Sequence, residues 1–255
     1  PEVKELAIPG AMIISNVLTP NTAAIWAESA EALGFDNAHH PGYQNLYIDQ
    51  KEEAYRKNDR CVYKASEAEV GALFEVLRPH LQERLEMGDL GNWKLETLND
   101  MWRFYKYRPA ETEDQARKAK SQHFPPHFDN ATVKATSLMS FCSVLVYLSG
   151  DGGERLFGGG ETLFLESRCK VEAVAGQVCV FRHVGEHSPL HAGMPLWRLG
   201  EQAACKYVLR TDVMYTLVDG QLVTPRVSPP YNNEQVLDED VVDTFVEEDS
   251  DTNES

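Results

Sequence analysis

The stretch His123–Asn130, HFPPHFDN, decides how this chain is read. It sets His127 and Asp129 two residues apart. In an extended strand, residues i and i+2 point the same way, so this pair can grip one ion together. Pro126 ahead of His127 disfavours helix and favours that extended approach. A His-x-Asp pair plus one remote His is the two-His-one-carboxylate set that holds Fe(II) on one face and leaves positions open. The remote His has to come from elsewhere in the fold. His191, in the segment HAGMPL, lies sixty-four residues after His127. His183 and His187 also follow the apolar run GQVCVF (176–181), so the residues alone leave three candidates for the third ligand. His-x-Asp arises often by chance, and what gives it weight here is the order of the features around it.

Those features are mostly strands. MWRFYKYRP (101–109) precedes the pair. SLMSFCSVLVYLS (137–149), FGGGETLFL (157–165), GQVCVF and CKYVLRTDVMY (205–215) follow it. Short runs rich in Val, Tyr, Phe and Leu, separated by Gly-rich turns, predict strands over 102–108, 138–148, 162–165, 177–181 and 205–215. Ahead of Trp93 the texture is helical. Thr19 as cap, Pro20 at the first position and Gly34 past the end predict a helix after a strand in AMIISNV (11–17). Ser66 with Glu69 three residues on is a capping-box pattern that opens a second helix to Leu77, ended by Pro79. Leu73, Phe74 and Leu77 recur at helical spacing and read as core. Helices first and strands after predict a helix-supported β sandwich or barrel.

In this order the marks resemble the 2-oxoglutarate- and Fe(II)-dependent oxygenases of the prolyl 4-hydroxylase-like branch. The resemblance spans roughly residues 9–217. It implies a mainly β fold with supporting helices, a double-stranded β-helix or jelly roll. It selects His191 as the third ligand, because Ala-Gly-x-Pro follows it, and leaves His187 as runner-up. It implies that 2-oxoglutarate chelates the iron by its keto acid end and that Lys206 meets its far carboxylate, with Tyr107 donating a hydrogen bond to the same group. Strand alternation sets Lys206, Val208 and Arg210 on one face, and Arg103, Tyr105 and Tyr107 on another.

The chain departs from the family pattern in three places. Fifteen residues separate His191 from Lys206, so 197–205 is expected to be an enlarged turn, and Arg210 stands as the fallback anchor. Ala110 replaces a common Gly. The charged run ETEDQARKAKSQ (111–122) is inserted before Phe124, and reads either as a substrate-covering lip or as a passive loop. Thr162 is expected near the site, while Gly158 to Gly160 serve a turn and not a phosphate loop, since no Lys-Ser/Thr follows them. Asn58, Arg60 and Arg103 are candidates for substrate selection.

The activity so implied is a hydroxylase. It oxidises 2-oxoglutarate with O₂ to succinate and CO₂ and hydroxylates an unactivated C–H, ascorbate being a possible further reductant. A prolyl residue of a protein or peptide is the expected substrate. A free amino acid or other small molecule is the rival, and a catalytically silent binding module of the same fold is the rival of a different class.

Composition sets the outer bounds. A hydrophobic content of 42% and a charged content of 25% over 255 residues suit a soluble globular chain, and no apolar stretch reaches membrane-span length. Residues 1–230 are expected to form one oxygenase domain, helix-rich to about 92 with the jelly-roll core over about 93–220. Of the sixteen net negative charges, ten come from acids between Glu234 and Glu254. Residues 231–255 therefore read as a disordered acidic tail. With no basic stripe, nucleic acid is not the expected partner, and neither is a membrane. Five scattered cysteines read as reduced thiols of an intracellular protein, cytoplasmic or nuclear. The chain begins with Pro1 and not Met, so a removed upstream segment is an expectation, and these residues do not say whether it held a targeting signal.

Overall fold

A computed structural model describes residues 1–37, 58–86, 91–120, 122–149, 156–185, 188–201 and 204–219. The acidic tail and His187 lie outside them. Among the described residues the first strands are β1 (Glu2–Glu5), β2 (Met12–Ser15), β3 (Asp36–Asn37), β4 (Asp59–Lys64), β5 (Arg84–Glu86), β6 (Asn92–Leu98), β7 (Met101–Tyr107) and β8 (Phe124–His127). They continue as β9 (Val133–Ala135), β10 (Leu138–Tyr147), β11 (Phe157–Gly159), β12 (Thr162–Phe164) and β13 (Cys169–Val171). The last four are β14 (Val178–Arg182), β15 (His191–Gly193), β16 (Leu196–Arg198) and β17 (Lys206–Asp219). Every named strand pairing is antiparallel.

Two sheets form the body. The larger runs β1-β2-β14-β10-β17-β7-β4-β3, with β6 continuing the β7 side of β17. The smaller runs β13-β12-β15-β8. β14-β10-β17-β7 facing β13-β12-β15-β8 is a four-on-four jelly roll, as the family resemblance implies.

Alternation on the large sheet builds two cores. On β10, Val144 and Val146 face outward, where helix α1 (Pro20–Leu33) contributes Ala23, Ala27 and Ala30, and α2 (Glu67–Leu77) contributes Val70, Leu73, Phe74 and Leu77. Leu145 and Tyr147 face inward, packing with Phe164 and Val171 of the small sheet and with Tyr105, Tyr107, Phe181 and Val208. The outward core holds Trp102 and Phe104 and the inward one Tyr105 and Tyr107, which is the split the sequence predicts for β7.

Both helices start and stop where their residues dictate. Thr19 caps α1 by accepting from the Thr22 amide at 3.1 Å, and Gly34 closes it at φ 90. Ser66 and Glu69 form both bonds of the capping box on α2, and Arg78–His80 ends it as a tight turn around Pro79.

Three differences from the sequence reading stand out. Besides the strand expected in 11–17, which is β2, the part before residue 92 supplies β1, β3, β4 and β5 to the large sheet. The turn expected over 197–205 starts late, because Leu196–Arg198 is a strand, and the described residues from 199 to 205 form no helix or strand. β16 pairs with β11, and Trp197 lies flat across the Gly run, where a Cβ on Gly158 would stand 2.3 Å from the indole. The inserted run 111–122 opens with a Thr112-capped helical turn, α3 (Glu113–Gln115), and passes into a π turn over Ala116–Lys120 with Ala116 buried. It is tied to β16 by a Glu111–Arg198 ion pair of 3.2 Å, and Ala110 bridges Trp197.

Candidate metal and co-substrate site

β8 and β15 are neighbours in the small sheet, with His127 directly opposite His191. Cross-strand pairing thus converts sixty-four residues of sequence separation into ring centroids 4.3 Å apart. Asp129 sits just past the end of β8 and is 2% exposed. Its carboxylate lies 3.6 Å from His127 Nε2 and 3.7 Å from His191 Nε2. One ligand atom from each of the three falls within 4.8 Å of the others, and among the described residues they are the group able to hold a metal ion.

The imidazoles are turned for ligation. His127 Nδ1 lies 2.8 Å from the Pro125 carbonyl, and His191 Nδ1 lies 3.1 Å from the Pro189 carbonyl. A carbonyl only accepts, so each Nδ1 carries the proton and each Nε2 presents its lone pair to the centre. Phe124 stacks on His127 at 3.7 Å, and Phe181 meets His191 edge-on at 4.7 Å, which fixes both ring planes. Burial, aided by His127, lowers the His191 pKa to about 3, so this ring is neutral. Burial alone would raise Asp129, but Arg210, His191 and His127 outweigh it and hold the carboxyl well below its usual range. Neutral imidazole and ionised carboxylate are the protonation states a divalent metal requires, and the donor set fits iron.

The inner face of β17 and β7 continues the site inward. Lys206 is opposite Tyr107 across the two strands and is 2% exposed. Its ammonium donates to the Gly160 carbonyl at 2.5 Å and stands 5.0 Å from the centre of the Tyr107 ring. Burial lowers its pKa to about 8, against the opposing pull of Glu161. Tyr147 and Thr162 share a hydrogen bond of 2.8 Å beside it, so Thr162 does reach this end of the site. Gly158 and Gly159 lie in β11 and not in the expected turn, and Gly159 and Gly160 hold φ of 69 and 77, a region that glycine enters freely.

Arg210 lies elsewhere. Its Nη1 is 2.7 Å from Asp129 Oδ1 and its Nη2 is 3.4 Å from Asp212 Oδ1. Asp212 also takes Asn99 at 3.1 Å and Thr132 at 2.9 Å, with Arg103 at 3.7 Å. Burial would lower the Arg210 pKa, and Asp129 and Asp212 more than reverse this. His183 is buried with Ser140 at 2.9 Å on Nε2 and Ser143 at 2.8 Å on Nδ1, and Ser143 donates to Asp129 Oδ2 at 2.6 Å. Both of its nitrogens are engaged, so it stands behind the metal group and not in it. Sequence reasoning missed Ser140, Ser143 and Asp212. A break in alternation hides the serines: β10 bulges between Ser140 and Cys142, and this brings two residues three apart onto one face.

The remaining candidates are also placed. Arg60 is opposite Tyr105 on the β4–β7 pair, and Arg103 is opposite Arg210 on the β7–β17 pair. Asn58, 1% exposed, has neither amide atom hydrogen-bonded. All five cysteines are free. No described helix is long and apolar enough to cross a membrane.

No protein-family model matches the sequence, and no curated protein matches it. Solved structures do match. A Pseudomonas putida prolyl-4-hydroxylase aligns with TM-score 0.52 and 16% identity over 82% of this chain and 94% of its own. A viral collagen prolyl hydroxylase from Paramecium Bursaria Chlorella virus-1, in its 2OG complex, aligns with TM-score 0.50 and 16% identity over 81% of this chain and 96% of its own. The jelly roll described above is therefore the fold of the prolyl hydroxylases.

Proposed function

We propose that this chain is an Fe(II)- and 2-oxoglutarate-dependent dioxygenase that hydroxylates a prolyl residue of a protein or peptide. The observation that carries the reading is the preformed group of His127, Asp129 and His191, with a buried ammonium, Lys206, on the facing large sheet. Iron bound there supplies O₂ activation coupled to decarboxylation of 2-oxoglutarate to succinate and CO₂. The protein's own part is binding and orientation. His127 and His191 present Nε2 because their Nδ1 protons are spent on backbone carbonyls. Lys206 and Tyr107 are the partners for the far carboxylate of 2-oxoglutarate, a role that Arg210, engaged with Asp129, does not fill. Phe164, Phe181, Leu145 and Val208 belong to the same buried apolar cluster as Tyr107. The prolyl substrate rests on the names of the two similar structures, a fold-level analogy.

An anaerobic absorbance titration tests the site. Fe(II) followed by 2-oxoglutarate is expected to give a visible charge-transfer band in the wild type and none in His127→Ala. Aerobic incubation with proline-containing peptides is then expected to release succinate and add one oxygen to the peptide. No band in the iron-loaded wild type would remove the reading and favour a silent binding module. A band with succinate formed only on free amino acids would move the substrate to small molecules.

A further inference from the structure

The carboxylate of Asp129 is gripped on both oxygens by groups other than the two histidines. Arg210 takes Oδ1 at 2.7 Å and Ser143 takes Oδ2 at 2.6 Å. Behind each contact lies a buried support. Arg210 is itself held by Asp212, whose other oxygen is occupied by Asn99 and Thr132. Ser143 is backed by His183, His183 by Ser140, and Ser140 by the Thr132 amide at 2.8 Å. Thr132 joins the two supports into one network.

The direction of the second chain follows from its ends. A backbone amide only donates, and a carboxylate only accepts. The Thr132 N–H therefore points to Ser140 Oγ, leaving the Ser140 proton for His183 Nε2. His183 then donates from Nδ1 to Ser143, and the Ser143 proton goes to Asp129. All the dipoles run the same way and polarise one another toward the carboxylate. This assigns His183 the neutral Nδ1–H tautomer. It also gives a buried histidine that the sequence offered as a third ligand a different task.

We infer that Arg210 and the Ser143–His183 chain are positioning residues, which hold the Asp129 carboxylate in its metal-binding orientation before the metal arrives. The inference rests on the oxygenase reading of the site. Electrostatics supplies a discriminating sign. Arg210 is a cation beside a cation site, so by Coulomb's law alone its removal would tighten metal binding. A positioning role predicts the opposite, because a freed carboxylate must be reordered on every binding event.

The test is Co(II) binding, by calorimetry and visible absorption, on the full-length wild type, Arg210→Met, Arg210→Lys and Ser143→Ala. Ser143→Ala removes one hydroxyl and is the variant that least threatens folding. We expect Arg210→Met and Ser143→Ala to weaken Co(II) affinity by about 10–100-fold, the range for lost partners of metal ligands. Their Co(II) bands are expected to shift, Arg210→Lys to recover part of the affinity, and 2-oxoglutarate affinity of the Co(II)-saturated variants to stay at the wild-type level. Unchanged or tighter Co(II) binding in both variants overturns the inference. So does an Arg210→Met protein that keeps Co(II) affinity and loses 2-oxoglutarate, which would make Arg210 the anchor. A wild type that binds no Co(II) overturns the oxygenase reading itself, and that result is separate from either of these. If Arg210→Met does not fold, Ser143→Ala and Arg210→Lys decide.

Discussion

Lys206 is charged at a cost, since a buried ammonium with one carbonyl partner has lost most of its hydration. Its pKa, about 8 against the ordinary 10.5, states that cost as a titration. The charged form is the one that meets a carboxylate, so 2-oxoglutarate affinity should be constant below pH 8 and fall as pH rises through it. The dissociation constant from the charge-transfer titration at pH 6.5 to 9.5 checks this. Lys206→Met should weaken 2-oxoglutarate by about 10–100-fold, as expected for losing a hydrogen bond to a charged group. It should also leave the unliganded protein at pH 7 as stable as wild type or more so, because an uncompensated buried charge is gone. Thermal melts without ligand measure that second outcome. At this scale the His127–Asp129 pair was legible in its spacing, while the family resemblance brought in His191, Lys206 and Tyr107. The structure brings the first three within reach of one ion and sets the last two opposite each other. The sequence was not legible for Arg210. Alternation sets Arg210 on the same face as Lys206, but the anion it meets arrives from β8 in the opposite sheet, and strand period contains no such information.

At the scale of elements, the helices were readable because their signals are local. Ser66 and Glu69 satisfy each other's backbone amides within one turn, and Tyr63 adds a bond of 2.9 Å to the same Glu69 carboxylate. Ser66→Ala should cost about 1 kcal/mol, the usual worth of such a cap, and denaturant unfolding should show it as a lower midpoint with unchanged slope. The β10 bulge was not readable, because it depends on what its neighbours offer. Ser140 and Ser143 share a face only through that extra residue, and His183 needs both. Gly176 marks a comparable case between elements. Its φ is +81, and a Cβ there would stand 2.0 Å from the Leu18 carbonyl. Gly176→Ala should therefore push the β2–α1 connection off the end of β14 and destabilise the fold, seen as a depressed melting temperature, although no charge or catalytic group is touched.

For the whole molecule, the jelly roll follows from two alternating patterns laid on one sheet. Apolar residues face the helices, and a mixed aromatic and charged face meets the small sheet. Metal and co-substrate would bind the folded chain and not the unfolded one. At a hundredfold excess over its dissociation constant, a ligand of this kind adds about 2.7 kcal/mol, roughly 5–10 °C for a chain of this size. Anaerobic melts with Mn(II) and 2-oxoglutarate together should show that rise, and His127→Ala should show none. The class of fold was readable in the order of strands. Of the strands before residue 92 only β2 was readable; β4 was not, since its run is short and its partner β7 lies far along the chain.

β17 is fourteen residues long, flanked by β10 on one side and by β7 and then β6 on the other. Its amides cannot be released by fraying an edge. Hydrogen exchange over Leu209–Val213 should therefore proceed only through global opening, while strands at the margins, such as β1, exchange through local excursions. Lys206, Arg210 and Asp212 thus ride on the part of the molecule that moves least. Any breathing at the candidate site has to come from the opposing small sheet and its loops, and the wall that carries Lys206 stays still.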